Sequence, residues 1–352
     1  MNFQKEFEFL GKKIGAAETP PLIVAEIGFN HNGDVVLAEE MICLAKDCGA
    51  DAVKLQTFIG TELYAKTFHA IDPDDPGSEI PFHEFWERFQ LSRDDYARLF
   101  SFAKEIGIPL FSTPFDEGSL AMLMELGMGA IKIASGDLTH HELLKAAAGA
   151  GVPVVLSSGM ATEEEVEKAM DVLRGAGADR VVLLHCVSNY PSRPEEMNLR
   201  VLKQLHDRFQ VPVGLSDHTM EPDSSVLAAA LGASIIEKHF TTDSNLPGPD
   251  QKVSLDPDGL RKLKSVLDQT AAALGDGKKV PQDSELETKK GARRSVVSKI
   301  HIDAGAKLTR EMLVFKRPGT GIPAEQVETI LGKPVIQNIP AESIITSEML
   351  EL

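Results

Sequence analysis

Between Leu22 and about Gly275 the chain alternates short apolar, β-branched runs with longer amphipathic stretches. A short apolar run bounded by turn residues indicates a buried strand, and apolar residues recurring every three to four positions indicate a helix. Eight such units in succession predict a closed (β/α)8 barrel, a TIM barrel. The candidate strands are LIVAEIGF from Leu22, DAVKLQTF from Asp51, IPLFSTPF from Ile108, GAIKIASG from Gly129, PVVLSSG from Pro153, VVLLHCVS from Val181, VPVGLSDH from Val211 and SIIEKHFT from Ser234.

A doubly wound open sheet is the alternative architecture. It is less favoured, because no candidate strand is followed by the G-x-G-x-x-G turn of a dinucleotide-binding fold. One connection, Gly60 to Ser92, is much longer than a normal βα loop. Long βα loops lie on the face where barrel enzymes place their active sites. We therefore predict that this segment covers a substrate, with a purely structural excursion as the alternative.

The pattern changes after the last predicted barrel helix. Residues 276–290 are rich in Gly, Lys, Asp and Glu and nearly free of apolar residues, which predicts an exposed linker. Residues 291–352 contain the short β-like runs SVVSKIHI and KPVIQNI and the string PGTGIP. The prediction is a barrel over 1–275 and a compact β-rich domain over 291–352.

Composition limits the partners of the chain. Its 53 Asp and Glu outnumber 36 Lys and Arg, a formal charge of −17 that repels nucleic acid and anionic membranes. An anionic substrate therefore requires a local cationic pocket. The three cysteines argue against a disulfide framework, and no apolar stretch approaches the ~18 residues needed to span a bilayer. With no signal sequence recognisable from Met1 to Ala17, we expect a cytoplasmic protein.

Polar residues occupy the ends of the predicted strands, where every second side chain should point into an apolar lumen. Lys54 and Lys132 would converge there on a small anion, since lysine binds phosphate as a point charge. Neutral donors for the same anion are Gln56, Ser135, Ser157 and Ser216. Because the carboxyl ends of the barrel strands meet on one face, the joint presence of these polar residues predicts an active site there.

Two histidines end adjacent predicted strands. Neighbouring strands lie ~4.8 Å apart, so His218 and His239 can reach one metal ion, with Glu26 on the next strand around the barrel. These nitrogen and oxygen ligands suit Mn²⁺, Zn²⁺ or Fe²⁺, although a hydrogen-bonded core histidine is the commoner reason for such a residue. Cys186 is interpreted as a small buried apolar residue, because no helix N-terminus is evident to activate it.

The strand ends also match known motifs in the right order. They are AEIGFNHNG at Ala25, VKLQTF at Val53, STPFD at Ser112, IKIASGD at Ile131, LSSGMAT at Leu156, CVSNYP at Cys186, LSDHT at Leu215 and EKHFT at Glu237. The chain resembles the N-acetylneuraminate (sialic acid) synthase family, which includes legionaminate and pseudaminate synthases and spore-coat polysaccharide homologues. The module containing VFKRPGTGI from Val314 resembles the antifreeze-like, or SAF, domain of that family.

The resemblance implies a metal-dependent transferase that condenses phosphoenolpyruvate with an N-acetylated hexosamine aldehyde. The implied metal is Mn²⁺, with Mg²⁺ or Co²⁺ possible, and its implied ligands are His218 and His239. The implied partner is a second copy in a domain-swapped homodimer, with Arg317 acting in trans. The other implied site residues are Glu26, Lys54, Lys132 and Asp137 for catalysis and Gln56, Thr113, Ser135, Ser157, Ser188, Tyr190, Ser216, Asp250 and Arg317 for substrate binding.

Two positions leave the acceptor sugar open. Asp137 stands where sialic acid synthases often carry Glu, and Ser188 stands where some carry Asn. The acceptor is therefore N-acetylmannosamine or a dideoxy-diacetamido relative, as in legionaminate or pseudaminate synthases. Two other classes of function are alternatives: a Schiff-base aldolase using Lys54, Lys132 or Lys238, and a non-catalytic carbohydrate- or ice-binding protein.

Overall fold

The computed structural model describes residues 2–15, 20–72 and 75–351. The chain divides into two compact units, Met1–Asp276 and Gly277–Leu352. The first unit begins with an antiparallel hairpin of β1 (Phe7–Phe9) and β2 (Lys12–Ile14). Phe9 of this hairpin is fully buried and packs edge-on against Phe111, with ring centroids 6.0 Å apart.

The strands that follow in the first unit include a closed barrel. They are β3 (Leu22–Gly28), β4 (Ala52–Thr57), β5 (His69–Asp72), β6 (Asp75–Pro81), β7 (Leu110–Pro114), β8 (Ile131–Ile133), β9 (Val154–Ser157), β10 (Val181–Cys186), β11 (Val213–Asp217) and β12 (Ile235–His239). All except β5 and β6 pair in parallel, in chain order, and β12 closes onto β3. The predicted eight-stranded (β/α) barrel is confirmed, and each predicted strand contains an observed one.

Helices cross over between the barrel strands. The helices of the chain are α1 (Val35–Asp47), α2 (Gly60–Leu63), α3 (Phe82–Glu87), α4 (Arg93–Ile106), α5 (Glu117–Glu125), α6 (His141–Gly149), α7 (Glu163–Gly175), α8 (Val201–Phe209), α9 (Asp223–Ala230), α10 (Pro257–Leu274) and α11 (Leu286–Ala292). Local sequence explains where several begin. Ser92 and Thr162 form capping boxes with the residue three positions later, and Asp256 caps α10 before Pro257. These caps satisfy backbone N–H groups that lack a partner within the helix.

The long connection between β4 and β7 has secondary structure of its own. It contains α2, an antiparallel hairpin of β5 and β6, and α3, before α4 begins. Its aromatic residues Phe85 and Phe89 are buried against Phe29 and Phe58, which follow barrel strands β3 and β4. The segment is therefore a packed excursion attached to the ends of those strands.

The second unit has less strand than its sequence suggests. β13 (Ser295–Ser298) and β14 (Leu313–Lys316) form an antiparallel pair, while the run KPVIQNI contributes only isolated bridges, such as Val335 with Leu350. A separate apolar core containing Val296, Ile345 and Leu350 holds these turns together. The segment predicted as a linker is exposed, but its last five residues belong to α11. Within the described ranges, no helix is long and apolar enough to cross a membrane.

Candidate active site

A cleft of about 480 Å³ lies at the carboxyl ends of the barrel strands. Thirteen of the fifteen predicted site residues line it: Glu26, Lys54, Gln56, Thr113, Lys132, Ser135, Ser157, Ser188, Tyr190, Ser216, His218, His239 and Asp250. They come from strands or strand ends that are distant in sequence. The barrel thus brings them together, as expected when parallel strands end on one face.

Strand register explains the tightest group in the cleft. On adjacent strands β12, β3 and β4, His239 pairs with Glu26 and Glu26 pairs with Lys54. Side chains of paired residues on neighbouring strands point to the same side of the sheet, which here is the lumen. All three side chains are buried, Glu26 being only 1% exposed.

Glu26 is held in one orientation by two neighbours. Lys54 Nζ forms an ion pair with Glu26 Oε2, and Gln56 Nε2 donates to Glu26 Oε1 at 2.9 Å. Lys54 also donates to Thr113 Oγ1 at 2.9 Å. A buried charge is tolerated when it is paired and hydrogen-bonded, and both ends of this pair meet that condition.

Glu237 is a site residue that our sequence analysis did not assign. Its carboxylate lies 3.9 Å from Lys54 Nζ and 4.0 Å from Lys132 Nζ, and Ser216 Oγ donates to it at 3.0 Å. The signal in the sequence was its spacing: Glu237 and His239 are two residues apart on one strand and so share a face. The Glu237 carboxylate therefore lies near both Lys54 of β4 and Lys132 of β8.

The two lysines differ in their electrostatic balance. Burial lowers the pKa of Lys54, but Glu237 and Glu26 outweigh it, so the pKa is raised above its ordinary value. At Lys132 burial dominates and lowers the pKa, with Glu237 opposing. Burial alone would raise the pKa of Glu237, yet Lys132 and Lys54 together hold it below its ordinary value.

Two imidazoles lie close together in the cleft. His218 Nδ1 lies 2.8 Å from the carbonyl oxygen of Val187 and so carries the proton as donor, which leaves Nε2 with a free lone pair. His239 Nδ1 is buried, makes no hydrogen bond to any residue that the structure describes, and faces Asp250 Oδ2 at 3.6 Å, which favours the same tautomer. The ring centroids are 5.5 Å apart. A histidine that binds a metal through one ring nitrogen usually donates a hydrogen bond from the other to a carbonyl or carboxylate. The residues present therefore fit a divalent ion.

Other groups near the histidines do not complete a ligand set. Among the described residues, no three His, Cys, Asp or Glu side chains cluster closely enough to hold a metal ion. Glu26, the expected third member, is instead engaged by Lys54 and Gln56. A metal here would need water or substrate oxygens for its remaining positions.

Cys186 has a more polar environment than an apolar core residue. It lines the cleft, with Sγ 3.9 Å from His218 Nδ1 and 4.0 Å from Ser188 Oγ. Burial would raise the pKa of the thiol, but the contact with His218 outweighs burial and lowers it. The apolar interpretation from sequence therefore missed a neighbour that only the fold supplies.

Two predicted site residues lie outside the cleft lining. Asp137 follows Gly136 on a 3₁₀ turn, and its Oδ2 is buried without a hydrogen bond to any described residue. Arg317 belongs to the second unit, where it is exposed directly after β14. Lys238, the third lysine considered for a Schiff base, pairs instead with Asp217 at 3.0 Å.

One side of the cleft is apolar, which our sequence analysis did not predict in detail. We call Phe29, Tyr64, Trp86 and Phe115 the aromatic wall. Trp86 packs on Phe29 with ring centroids 4.5 Å apart and stacks parallel to Tyr64 at 6.1 Å. Tyr64 and Trp86 come from the long excursion after β4, so this segment lines part of the cleft. That it covers a substrate stays a prediction.

Known proteins resemble both units of the chain. The NeuB family matches residues 41–279, and the SAF domain matches residues 293–351. An N,N'-diacetyllegionaminic acid synthase of Legionella pneumophila is 39% identical over 94% of each chain. An N-acetylneuraminate-9-phosphate synthase of Mus musculus is 34% identical over 97% of this chain and 95% of the relative. The crystal structure of an N-acetylneuraminic acid (sialic acid) synthetase from Leptospira borgpetersenii superposes with a TM-score of 0.73 at 35% identity, covering 82% of this chain and 96% of that one.

Proposed function

The chain belongs to the NeuB family of enzymes, and from this we propose that it condenses phosphoenolpyruvate with an N-acetylated hexosamine aldehyde. The enol carbon of phosphoenolpyruvate attacks the aldehyde carbon and forms the new C–C bond. Water adds to the carbon that bears the phosphate, the C–O bond to phosphate breaks, and phosphate leaves. The products are a nonulosonic, sialic-type acid and phosphate.

The observation that carries this proposal is the pair of buried lysines at the floor of the cleft. Lys54 and Lys132 converge on Glu237, with hydroxyl groups of Ser157 and Ser216 also lining the floor. Ser157 Oγ is buried and makes no hydrogen bond within the described ranges, so it is free to donate to a ligand. A small dianion such as phosphoenolpyruvate would draw both ammonium groups from Glu237 and take up the serine hydroxyls.

Glu26 is suited to handle a proton. Gln56 and Lys54 fix its carboxylate in the lumen, and Glu26 is paired directly with His239 in the strand register. A fixed carboxylate within reach of substrate can accept a proton from water as that water attacks. We assign this role to Glu26, and we assign to Lys54 the binding of the phosphoenolpyruvate anion.

A divalent metal, Mn²⁺ in our proposal with Mg²⁺ or Co²⁺ as alternatives, would be held by His218 and His239. When bound it would act as a Lewis acid on the aldehyde carbonyl. The protein's own contribution would be to orient His218 through its hydrogen bond to the carbonyl of Val187, and to place the carboxylate of Asp250 opposite His239 Nδ1.

The acceptor sugar would bind in the same cleft. Gln56, Thr113, Ser188, Tyr190 and Asp250 line it and offer hydrogen-bonding groups. The acceptor is N-acetylmannosamine or a dideoxy-diacetamido relative, and the product is N-acetylneuraminate, legionaminate or pseudaminate accordingly. We further propose that Arg317 completes this part of the site from a second copy in a homodimer.

Release of phosphate from phosphoenolpyruvate, measured with an amino-sugar aldehyde present, tests the function. We expect activity that chelator abolishes and Mn²⁺ restores, and we expect His218→Ala or His239→Ala to abolish it. Replacing the exposed His141 on α6 by Ala should change nothing, which controls for the loss of an imidazole. Turnover retained in both site variants would contradict the assignment.

A Schiff-base aldolase is the second candidate, because burial lowers the pKa of Lys132 and a lysine of that kind is a competent nucleophile. Borohydride would then trap a pyruvyl adduct on the protein without any added metal. Metal-dependent phosphate release with no trapped adduct would exclude this alternative and the non-catalytic binding protein together.

A further inference from the structure

A buried ion pair lies directly behind the two histidines of the cleft. Asp217 ends β11 and is followed by His218. Lys238 is followed by His239, which ends β12. Lys238 Nζ lies 3.0 Å from Asp217 Oδ2, and the two side chains are 2% and 0% exposed. Because successive side chains of a strand point to opposite faces, this pair lies on the outer face of the barrel while the imidazoles line the cleft.

The strand register makes this ion pair a link between two strands. Asp217 and Lys238 are directly paired in the parallel ladder of β11 and β12. The next residues along each strand, His218 and His239, have ring centroids 5.5 Å apart. A change in the separation of these two strand ends would therefore move the imidazoles relative to each other.

Asp217 also fixes the turn that follows His218. Its Oδ1 accepts from the backbone N–H of Thr219 at 2.9 Å and from the Thr219 hydroxyl at 2.8 Å. The first of these bonds closes an Asx-turn, in which an aspartate side chain holds the backbone two residues further on. Lys238 Nζ donates to the carbonyl oxygen of Thr219. Because Thr219 is held at both its amide and its carbonyl, the backbone of His218 lies between two fixed residues.

The ion pair is anchored to the helix layer as well. Ser225 is fully buried on α9, and its hydroxyl donates to Asp217 Oδ2 at 2.6 Å. Both oxygens of the Asp217 carboxylate therefore have partners, as a buried charge requires. The desolvation of a buried ion pair offsets much of its attraction, so such a pair is weak evidence for added stability. The position of this one between the two strand ends points instead to a role in geometry.

Resting on the proposed function, we propose that Asp217 and Lys238 are positioning residues. Together they set the spacing and orientation of the two imidazoles for a divalent metal. Both residues lie outside the cleft lining, so they act through the backbone of His218 and His239. Groups that orient a metal ligand without touching the ion commonly change metal affinity by about 10- to 100-fold when they are replaced.

Titration calorimetry of Mn²⁺ into the full-length, metal-free protein tests this role without relying on turnover. Lys238→Met removes the ammonium group and keeps an unbranched side chain. We expect the dissociation constant for Mn²⁺ to rise roughly tenfold or more, because both histidines remain but their spacing is no longer fixed. The Mn²⁺ concentration that gives half-maximal phosphate release should rise by the same factor.

A double variant, Asp217→Asn with Lys238→Met, separates positioning from stability. Lys238→Met alone leaves the Asp217 carboxylate buried without its cation, so it should lower the denaturant midpoint of unfolding. The double variant removes both charges and retains an acceptor for the Thr219 N–H. Much of the midpoint should therefore return while Mn²⁺ binding stays weak. If the double variant binds Mn²⁺ as tightly as the wild type, the pair is only structural, which overturns the inference and leaves the proposed function intact.

An ion pair between two outer helices supplies the matched control. Arg98 on α4 donates to both carboxylate oxygens of Glu39 on α1, each at 2.7 Å. Arg98→Met should leave the dissociation constant for Mn²⁺ unchanged, because this pair touches neither β11 nor β12. Equal weakening in Arg98→Met and Lys238→Met would show a general effect of losing an ion pair and would reject the positioning role.

A milder variant carries the test if the charge variants do not fold. Thr219→Val removes only the hydroxyl that contacts both Asp217 and Lys238. Weaker Mn²⁺ binding by this variant supports the positioning role, and wild-type affinity overturns it. Absence of Mn²⁺ binding by the wild-type protein would instead contradict the metal assignment of the proposed function, and the inference with it.

Discussion

Glu237 and Lys132 meet across the lumen of the barrel, with Glu237 Oε1 4.0 Å from Lys132 Nζ. Their strands, β12 and β8, stand opposite each other in the closed order of eight. Lys54, from a strand between them, lies 3.9 Å from the other oxygen of Glu237. Glu237 therefore faces both buried ammonium groups, and Glu26 pairs with Lys54 as well.

We predict that Glu237→Gln destabilises the protein. Glutamine preserves a hydrogen-bond acceptor for Ser216 but removes the carboxylate beside Lys132. Breaking a buried ion pair by removing one partner costs about 3–5 kcal/mol, because the remaining charge is left without compensation. The free energy of unfolding from denaturant titration should fall by about 3 kcal/mol, and phosphoenolpyruvate should stabilise the variant more than the wild type.

An exposed pair gives the matched control for this prediction. Lys13 and Glu6 lie 2.6 Å apart, with side chains 63% and 46% exposed. Glu6→Gln should change the free energy of unfolding by less than about 1 kcal/mol, as for other surface pairs. If both substitutions changed the free energy of unfolding equally, Glu237 would not compensate the buried charge of the lysines.

Asp137 makes the stability pH-dependent. Burial raises its pKa to about 6 from 3.8, with His140 and Lys132 opposing. The folded protein therefore binds more protons than the unfolded chain between these values, and stability falls as pH rises through 6. Asp137→Asn should gain about 1–2 kcal/mol relative to wild type on going from pH 4 to pH 8, a range already reduced for partial exposure. Denaturant titrations of both proteins at the two pH values measure this difference, and parallel pH profiles would refute it.

His31 makes stability depend on pH in the opposite direction, so that stability rises with pH. It is 1% exposed after β3, and burial lowers its pKa to about 4 from 6.5, with Asp34 opposing. The unfolded chain binds more protons between these values, so stability is lost as pH falls from 6.5 toward 4. This loss amounts to about 3 kcal/mol over the range. His31→Gln should remove that part of the acid sensitivity in thermal melts between pH 4 and 7, whereas His141→Gln, at an exposed position on α6, should retain it.

The barrel could be predicted because its signals are local. Each strand is a short apolar run, and helices begin at caps visible in the sequence, such as Ser92 with Asp95 and Thr162 with Glu165. Nine of the thirteen predicted residues that line the cleft follow from one topological rule, that parallel strands of a barrel end on one face. Sequence spacing was sufficient for this because the rule concerns backbone alone. Thr113, Ser188, Tyr190 and Asp250 were implied by the family resemblance.

Side-chain partners could not be predicted in the same way. Glu237 was not assigned to the site, because its position between two lysines depends on which strands stand opposite each other. The aromatic wall depends on how the excursion after β4 folds back to place Trp86 on Phe29. Both are long-range contacts fixed by tertiary packing, about which hydrophobic periodicity carries no information.

The role proposed for Arg317 can be decided by subunit mixing. Arg317 is exposed in the second unit, and His239 lies in the barrel of the first. If Arg317 acts in trans, a heterodimer of His239→Ala and Arg317→Ala subunits contains one site with both residues intact. An equimolar, fully exchanged mixture should then recover about a quarter of wild-type phosphate release, since half the dimers are mixed and each has one working site. If Arg317 acts within its own chain, both sites of the heterodimer lack one residue, so no recovery after exchange, verified with differently tagged subunits, would reject the trans arrangement.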